Sequence, residues 1–116
     1  ATYVVKAHAR GEHFFARYIL DMDMTYGVLR PMLEWLIETD RGWSWKPGAF
    51  GRGLERELPP GVAQKLEAAH DSLDATIALF RDVAHDVGRA LGYAYPQYAD
   101  DAVTAYIDRL RQSPLA

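Results

Sequence analysis

The chain has 116 residues, 49% of them hydrophobic and 25% charged, which is the size and balance of one globular domain with one core. At this length folding hides roughly two thirds of the surface an extended chain exposes, so stability calls for neither a disulfide nor a metal. The absence of cysteine excludes thiolate zinc sites, iron–sulfur clusters and cysteine nucleophiles, and a net charge of -3 argues against broad nucleic-acid binding.

Apolar residues recur at helical spacing in four long segments, and no run alternates as a half-buried strand would, so an all-α fold is expected. The first segment, residues 2–22, carries Val4, Ala7, Phe14 and Tyr18 along one face and Tyr3, Lys6, Arg10, His13 and Arg17 along another. Lys6 and Arg10 stand one turn apart, where two fixed cations could hold a polyphosphate. The same pair also fits an ordinary solvated face whose aliphatic stems lie over the apolar stripe. The second segment, residues 25–39, puts Leu29, Met32, Leu33, Leu36 and Ile37 on one side. Pro31 inside it marks either the first turn of a helix starting near Leu29 or a kink in a longer one.

Residues 40–60, DRGWSWKPGAFGRGLERELPP, read as one connecting loop in which Trp43 and Trp45 cap the core. Gly48, Gly51 and Gly53 could fold it tightly and bring backbone amides close to a ligand. Helix resumes over residues 61–70 with Val62 and Leu66 inward. Leu73, Ile77, Phe80, Ala84, Val87 and Leu91 then form an unbroken seam, started by Asp71 and Ser72 and stopped by Gly92 with Pro96 beyond. A last helix over residues 97–112 carries Ala99, Val103, Tyr106 and Leu110. Helices of these lengths with mostly short turns are expected to close as an antiparallel bundle of four to five helices, a single domain over residues 1–116.

Side chains with reactive chemistry are present but scattered. His8 with Glu12 and His70 with Asp74 have the spacing of two ligands on one helical face, yet nothing ties the pairs together, so no metal site is expected. The acid pairs Asp21 with Asp23 and Asp100 with Asp101 point apart on a helix and read as caps or a polar rim. No Gly-rich phosphate loop follows a strand, and no nucleophile is flanked by a base. No catalytic residue is therefore expected within this chain.

TYVVKAHARGEHFFARYILD followed by LRPMLEWLI resembles the helical C-terminal region of the aminoglycoside 6-adenylyltransferase family, the streptomycin adenylyltransferases. GAFGRGLERELP resembles that family's glycine and basic segment, and LFRDVAHDVGRALGYAYPQYADDAVTAYIDRL its last two helices around a Gly-Tyr-x-Tyr-Pro turn. The resemblance implies a two-domain nucleotidyltransferase that moves an adenylyl group from ATP to a hydroxyl of an aminoglycoside-like substrate. Its N-terminal nucleotidyltransferase domain, the implied partner, carries the catalytic carboxylates and magnesium, and this domain alone binds no cofactor. By position, Lys6, Arg10 and Arg52 are the implied nucleotide contacts, and Glu12 and Asp21 face the ammonium groups of a small cationic substrate. A non-catalytic nucleotide-binding or antitoxin-like helical partner is the alternative. No apolar run approaches a membrane span and the opening ATYVVKAHAR lacks the form of a secretory signal, so a cytoplasmic protein with no membrane or nucleic-acid partner is expected. A start inside a helical pattern without Met reads as a fragment.

Overall fold

The computed structural model describes residues 1–112, and every regular element among them is helical. Helix α1, Thr2–Ala9, ends because Gly11 takes a left-handed φ of 76°. The Gly11 N–H then donates to the His8 carbonyl at 3.0 Å and the Glu12 N–H to that of Ala7 at 2.9 Å, which closes the helix with the paired bonds of a Schellman cap. The helix expected over residues 2–22 is thus two helices. The break resets the helical phase, so the apolar face does not continue from Val4 and Ala7 into Phe14 and Tyr18. Ala16, Ile19 and Leu20 are buried instead, and Phe14 is 92% exposed.

A Cβ added at Gly11 would meet nothing within 4 Å, so a substitution there acts through backbone strain alone. Gly11→Ala is expected to lower unfolding free energy by about 1–2 kcal/mol, the cost of a left-handed residue with a side chain. Urea denaturation of this domain checks it, and an unchanged midpoint would contradict the assigned cap.

From His13 to Asp40 the chain is helical without interruption. Helix α2, His13–Tyr18, widens into a π-helical segment, Ile19–Leu29, and tightens again into α3, Arg30–Asp40. The boundary expected between the first two segments does not exist. In the wide segment N–H groups reach five residues back, as Arg30 does to the Thr25 carbonyl, and the Thr25 hydroxyl donates to the Leu20 carbonyl at 2.9 Å. Pro31 lies in the first turn of α3. There a missing N–H is tolerated, and the wide turn before it relieves the clash that proline makes with a regular preceding turn.

Residues 40–60 are more ordered than a plain loop. Ala49–Gly51 forms a 3-10 turn, and α4, Leu54–Glu57, buries Leu54 with the following Leu58. Arg41 pairs with Glu57 at 2.6 Å across the segment. Gly48 is required by close approach, because a Cβ there would lie 2.5 Å from the Arg52 carbonyl oxygen. Trp45 packs on the core as expected, whereas Trp43 is 51% exposed.

Helices α5, Pro60–Ala68, α6, Leu73–Leu91, and α7, Gln97–Gln112, follow the bounds read from the sequence closely. The Ser72 hydroxyl accepts from the Ala75 N–H at 3.1 Å to start α6, and left-handed Gly92 stops it.

The described residues bury two apolar clusters. One joins Val4, Val5 and Ala7 of α1 to Ala16, Ile19 and Leu20, with Leu73 of α6 and Ile107 of α7. The other joins Leu29, Leu33 and Ile37 to Leu54, Leu58 and to Leu79, Val83 and Val87 of α6. Helix α6 runs through both. Its buried row is Leu73, Thr76, Leu79, Val83 and Val87. The expected seam is therefore rotated, and Ile77, Phe80, Ala84 and Leu91 form an adjoining apolar face that lines a cleft.

Candidate functional site

The cleft opens between the π-helical segment and α3 on one side and α6 and α7 on the other, with a volume of about 930 Å³. Met24, Val28, Met32, Phe80, Leu91 and Val103 are among its apolar wall residues, and Trp35, Trp43 and Tyr93 stand at its exposed edge. It stays open because α7 buries Ile107 alone among its described side chains, so the apolar residues on its earlier turns have no helix packed over them.

One corner is charged. The Arg81 guanidinium of α6 donates from Nε to Asp100 Oδ2 at 2.7 Å and from Nη2 to Asp100 Oδ1 at 2.7 Å, a two-pronged pair. The same Nη2 reaches Thr104 Oγ1 at 2.7 Å, Thr104 donates to Asp100 at 3.0 Å, and the Tyr95 hydroxyl donates to Asp100 as well. His85 stacks on the Tyr95 ring with centroids 3.9 Å apart. The Asp100 side chain is 10% exposed. Hydrogen bonds from Arg81 and then Tyr95 hold its carboxyl well below the usual carboxylate range, and the bond to Asp100 raises the Arg81 pKa. Burial, with the bond to Asp100 adding to it, pushes the Tyr95 phenol up to about 12. An acid so firmly ionised and so fully occupied cannot accept a proton in a reaction near neutrality. Its work is to fix α7 against α6. Asp101 points the other way and takes a hydrogen bond from Gln97 at 2.9 Å, which is the divergence expected of neighbouring acids on a helix.

The residues singled out in the sequence lie on two parts of the molecule. Lys6 is half-buried between α1 and α7, its Nζ 5.8 Å from the centre of the Tyr3 ring and 5.6 Å from that of Tyr106. Arg10 is exposed at the C-terminus of α1, its N–H bonded to the Lys6 carbonyl at 3.2 Å, so the two cations remain one turn apart. Neither has a carboxylate within ion-pair distance among the described residues. Glu12 is exposed at the start of α2, beside them in the chain. Asp21 sits in the π-helical segment 3.5 Å from Arg17, which also reaches Asp71 at 3.1 Å. Arg52 is exposed at the end of the 3-10 turn, in the segment that packs on the second cluster through Leu54, and so belongs to a different end from Lys6.

His8 turns to His13 across the Gly11 cap, with their Nδ1 atoms 2.8 Å apart. Among the described residues no three His, Asp or Glu side chains converge as metal ligands would, and no helix is long and apolar enough to cross a membrane.

The described residues thus form an all-helical unit with a cationic turn on its first helix and an open apolar cleft. Residues 1–110 match the family described as streptomycin adenylyltransferase, and the chain belongs to that family. It is 32% identical over 117 residues to an aminoglycoside 6-adenylyltransferase of Bacillus subtilis (strain 168), covering 93% of this chain and 40% of the relative. A protein of the same description from Campylobacter jejuni is 28% identical over 120 residues, covering 96% of this chain and 41% of the relative. The chain thus spans about two fifths of the length of the curated relatives it matches. No solved structure matches it.

Proposed function

We propose that this chain is the helical C-terminal domain of a two-domain nucleotidyltransferase of the cytoplasm, which adenylylates a hydroxyl of an aminoglycoside-like substrate with ATP. The observation that carries this reading is the family match over residues 1–110, in relatives more than twice as long. In the reaction the substrate hydroxyl oxygen bonds to the α-phosphorus of ATP, the bond to the β-phosphate oxygen breaks, pyrophosphate leaves, and the hydroxyl proton passes to a base outside this chain. The magnesium and its carboxylates are those that the family resemblance implies for the N-terminal domain, and the described residues hold no group of three or more acidic or histidine side chains that would compete for the metal.

This domain contributes charge. Lys6 and Arg10 are cations without carboxylate partners among the described residues, one turn apart, and their role is to bind the polyphosphate as negative charge shifts onto the leaving group. Arg52 is the more distant nucleotide contact. Glu12 and Asp21 face the ammonium groups of the acceptor. Asp21 shares Arg17 with Asp71, so an entering ammonium group exchanges with a cation already there.

In the full-length enzyme Lys6→Ala is expected to weaken the use of ATP by about 1–3 kcal/mol in kcat/KM, the range of a charge-assisted hydrogen bond. Loss of its contacts with Tyr3 and Tyr106 costs stability by about 1 kcal/mol or less. Steady-state kinetics and thermal melting separate the two, and unaltered kinetics in both Lys6→Ala and Arg10→Ala would remove the polyphosphate role. Drug-dependent pyrophosphate release by residues 1–116 alone would overturn the two-domain reading itself.

A further inference from the structure

Helix α7 meets α1 through Ile107, which is buried in one cluster with Val4, Val5 and Ala7. That anchor fixes the rotation of α7 and brings the neighbouring Tyr106 to the Lys6 side chain, whose Nζ lies 5.6 Å from the centre of the ring. Arg109 stands one turn along α7 from Tyr106, and its Cζ lies 5.7 Å from the centre of the same ring. One aromatic ring therefore steadies two cations from two helices. By the sum of those distances the cations are at most about 11 Å apart, close to the screening length of about 10 Å at about 0.1 M salt.

A neutral ring orients a cation without cancelling its charge. Neither Lys6 nor Arg109 has a carboxylate within ion-pair distance among the described residues. The other arginine in the last turn of α7 is spoken for, since Arg111 is tied to Asp74 at 3.0 Å. Positive charge is thus gathered at the junction of α1 and α7 in a chain whose net charge is -3. A ligand with several anionic oxygens turns the repulsion between these cations into attraction. A linked phosphate chain can meet cations on both helices, where a single carboxylate meets one. The planar guanidinium of Arg109, exposed on the surface, presents parallel N–H donors that match two phosphate oxygens.

We propose that Arg109 is a further contact for the polyphosphate of the nucleotide, and that Tyr106 is the positioning residue that holds Arg109 and Lys6 together to receive it. This rests on the reading of Lys6 as a nucleotide contact and extends that site from α1 onto α7. The grouping exists only once the two helices have docked.

The test uses the full-length protein with magnesium, ATP as substrate and inorganic tripolyphosphate as the probe of the site. Arg109→Gln is expected to raise both the KM for ATP and the calorimetric dissociation constant for tripolyphosphate by about five- to thirtyfold, the change that losing one charge-assisted contact produces. The KM for the acceptor stays where it was, because the contact is made to the nucleotide alone. Arg111→Gln removes the same charge two residues away from a cation already paired, and is expected to move either constant by less than about twofold. Tyr106→Phe keeps the ring and is expected to match the parent, whereas Tyr106→Leu moves both constants in the direction of Arg109→Gln. Equal effects of Arg109→Gln and Arg111→Gln overturn the proposal. A parent that binds no tripolyphosphate, or a loss in Tyr106→Phe as large as in Tyr106→Leu, overturns it as well. ATP turnover indifferent to Arg109→Gln sinks this inference and keeps the enzyme. Tripolyphosphate binding that weakens in Arg109→Gln, in a protein that turns over no aminoglycoside, keeps the anion site and sinks the adenylyl-transfer reading.

Discussion

Leu33→Ala is expected to destabilise the domain by about 3–5 kcal/mol, the largest effect of any single apolar truncation on α3. Leu33 is 1% exposed and lies in the cluster where Leu29 and Ile37 meet Leu79, Val83 and Val87 of α6. Removing its branched end leaves a cavity walled by two helices that cannot close on it, because Pro31 and the wide turn before it fix where α3 begins. Phe80 is the informative contrast. Periodicity puts it mid-seam, but it faces the cleft and is half-buried, so Phe80→Ala is expected to cost less than half as much. Urea unfolding of both variants in the same background decides the matter. Equal losses would mean that the cleft is closed and the buried face of α6 has been misplaced.

Asp100→Ala follows at about 3 kcal/mol, since it leaves the Arg81 guanidinium and the Tyr95 and Thr104 hydroxyls without their shared acceptor. The dependence on pH has a definite sign. Asp100 titrates lower in the folded chain than its ordinary value near about 3.9, so its contribution is complete above that value and is lost as pH falls through the folded pKa. Tyr95 is raised to about 12, so its contribution is complete below the ordinary phenol value near about 10 and is lost as pH climbs toward the folded one. Unfolding measured from acid to alkaline pH should show both limbs in the parent domain. In Asp100→Ala the acid limb should flatten and the alkaline limb should move to lower pH. An acid limb of undiminished slope would show that other carboxylates carry it.

What the sequence discloses here depends on how local the signal is. Ser72 and Gly92 state where α6 starts and stops, because a capping hydroxyl and a left-handed residue act within one turn of themselves. Gly11 carried the same kind of signal for the end of α1, but the apolar spacing on either side of it happens to continue, and periodicity outweighed it. The π-helical segment left no readable mark. Bonding five residues back puts more residues in each turn than an α-helix holds, so the apolar positions slip out of the α pattern and the gap between residues 22 and 25 looks like a boundary. Helix α6 is apolar over so broad an arc that two rows, one buried and one facing the cleft, satisfy the same rule. The Arg81–Asp100 pair joins residues 19 apart and depends on the packing of two helices. An arginine in mid-helix and an acid one turn before Thr104 were its only traces. Lys6 and Arg10 were legible as a cationic turn, whereas the two rings that hold Lys6 come partly from α7 and were not.

Helix α6 gives Leu73 to one cluster and Leu79, Val83 and Val87 to the other, and the unbroken helix from His13 to Asp40 gives Ala16, Ile19 and Leu20 to the first and Leu29, Leu33 and Ile37 to the second, so two rods run the length of a body 50 Å long. A rod common to both ends cannot fray at one and stay whole at the other without exposing part of each core. The ends therefore share one melting equilibrium. A truncation in either cluster is expected to lower the stability of both ends together, in one unfolding transition.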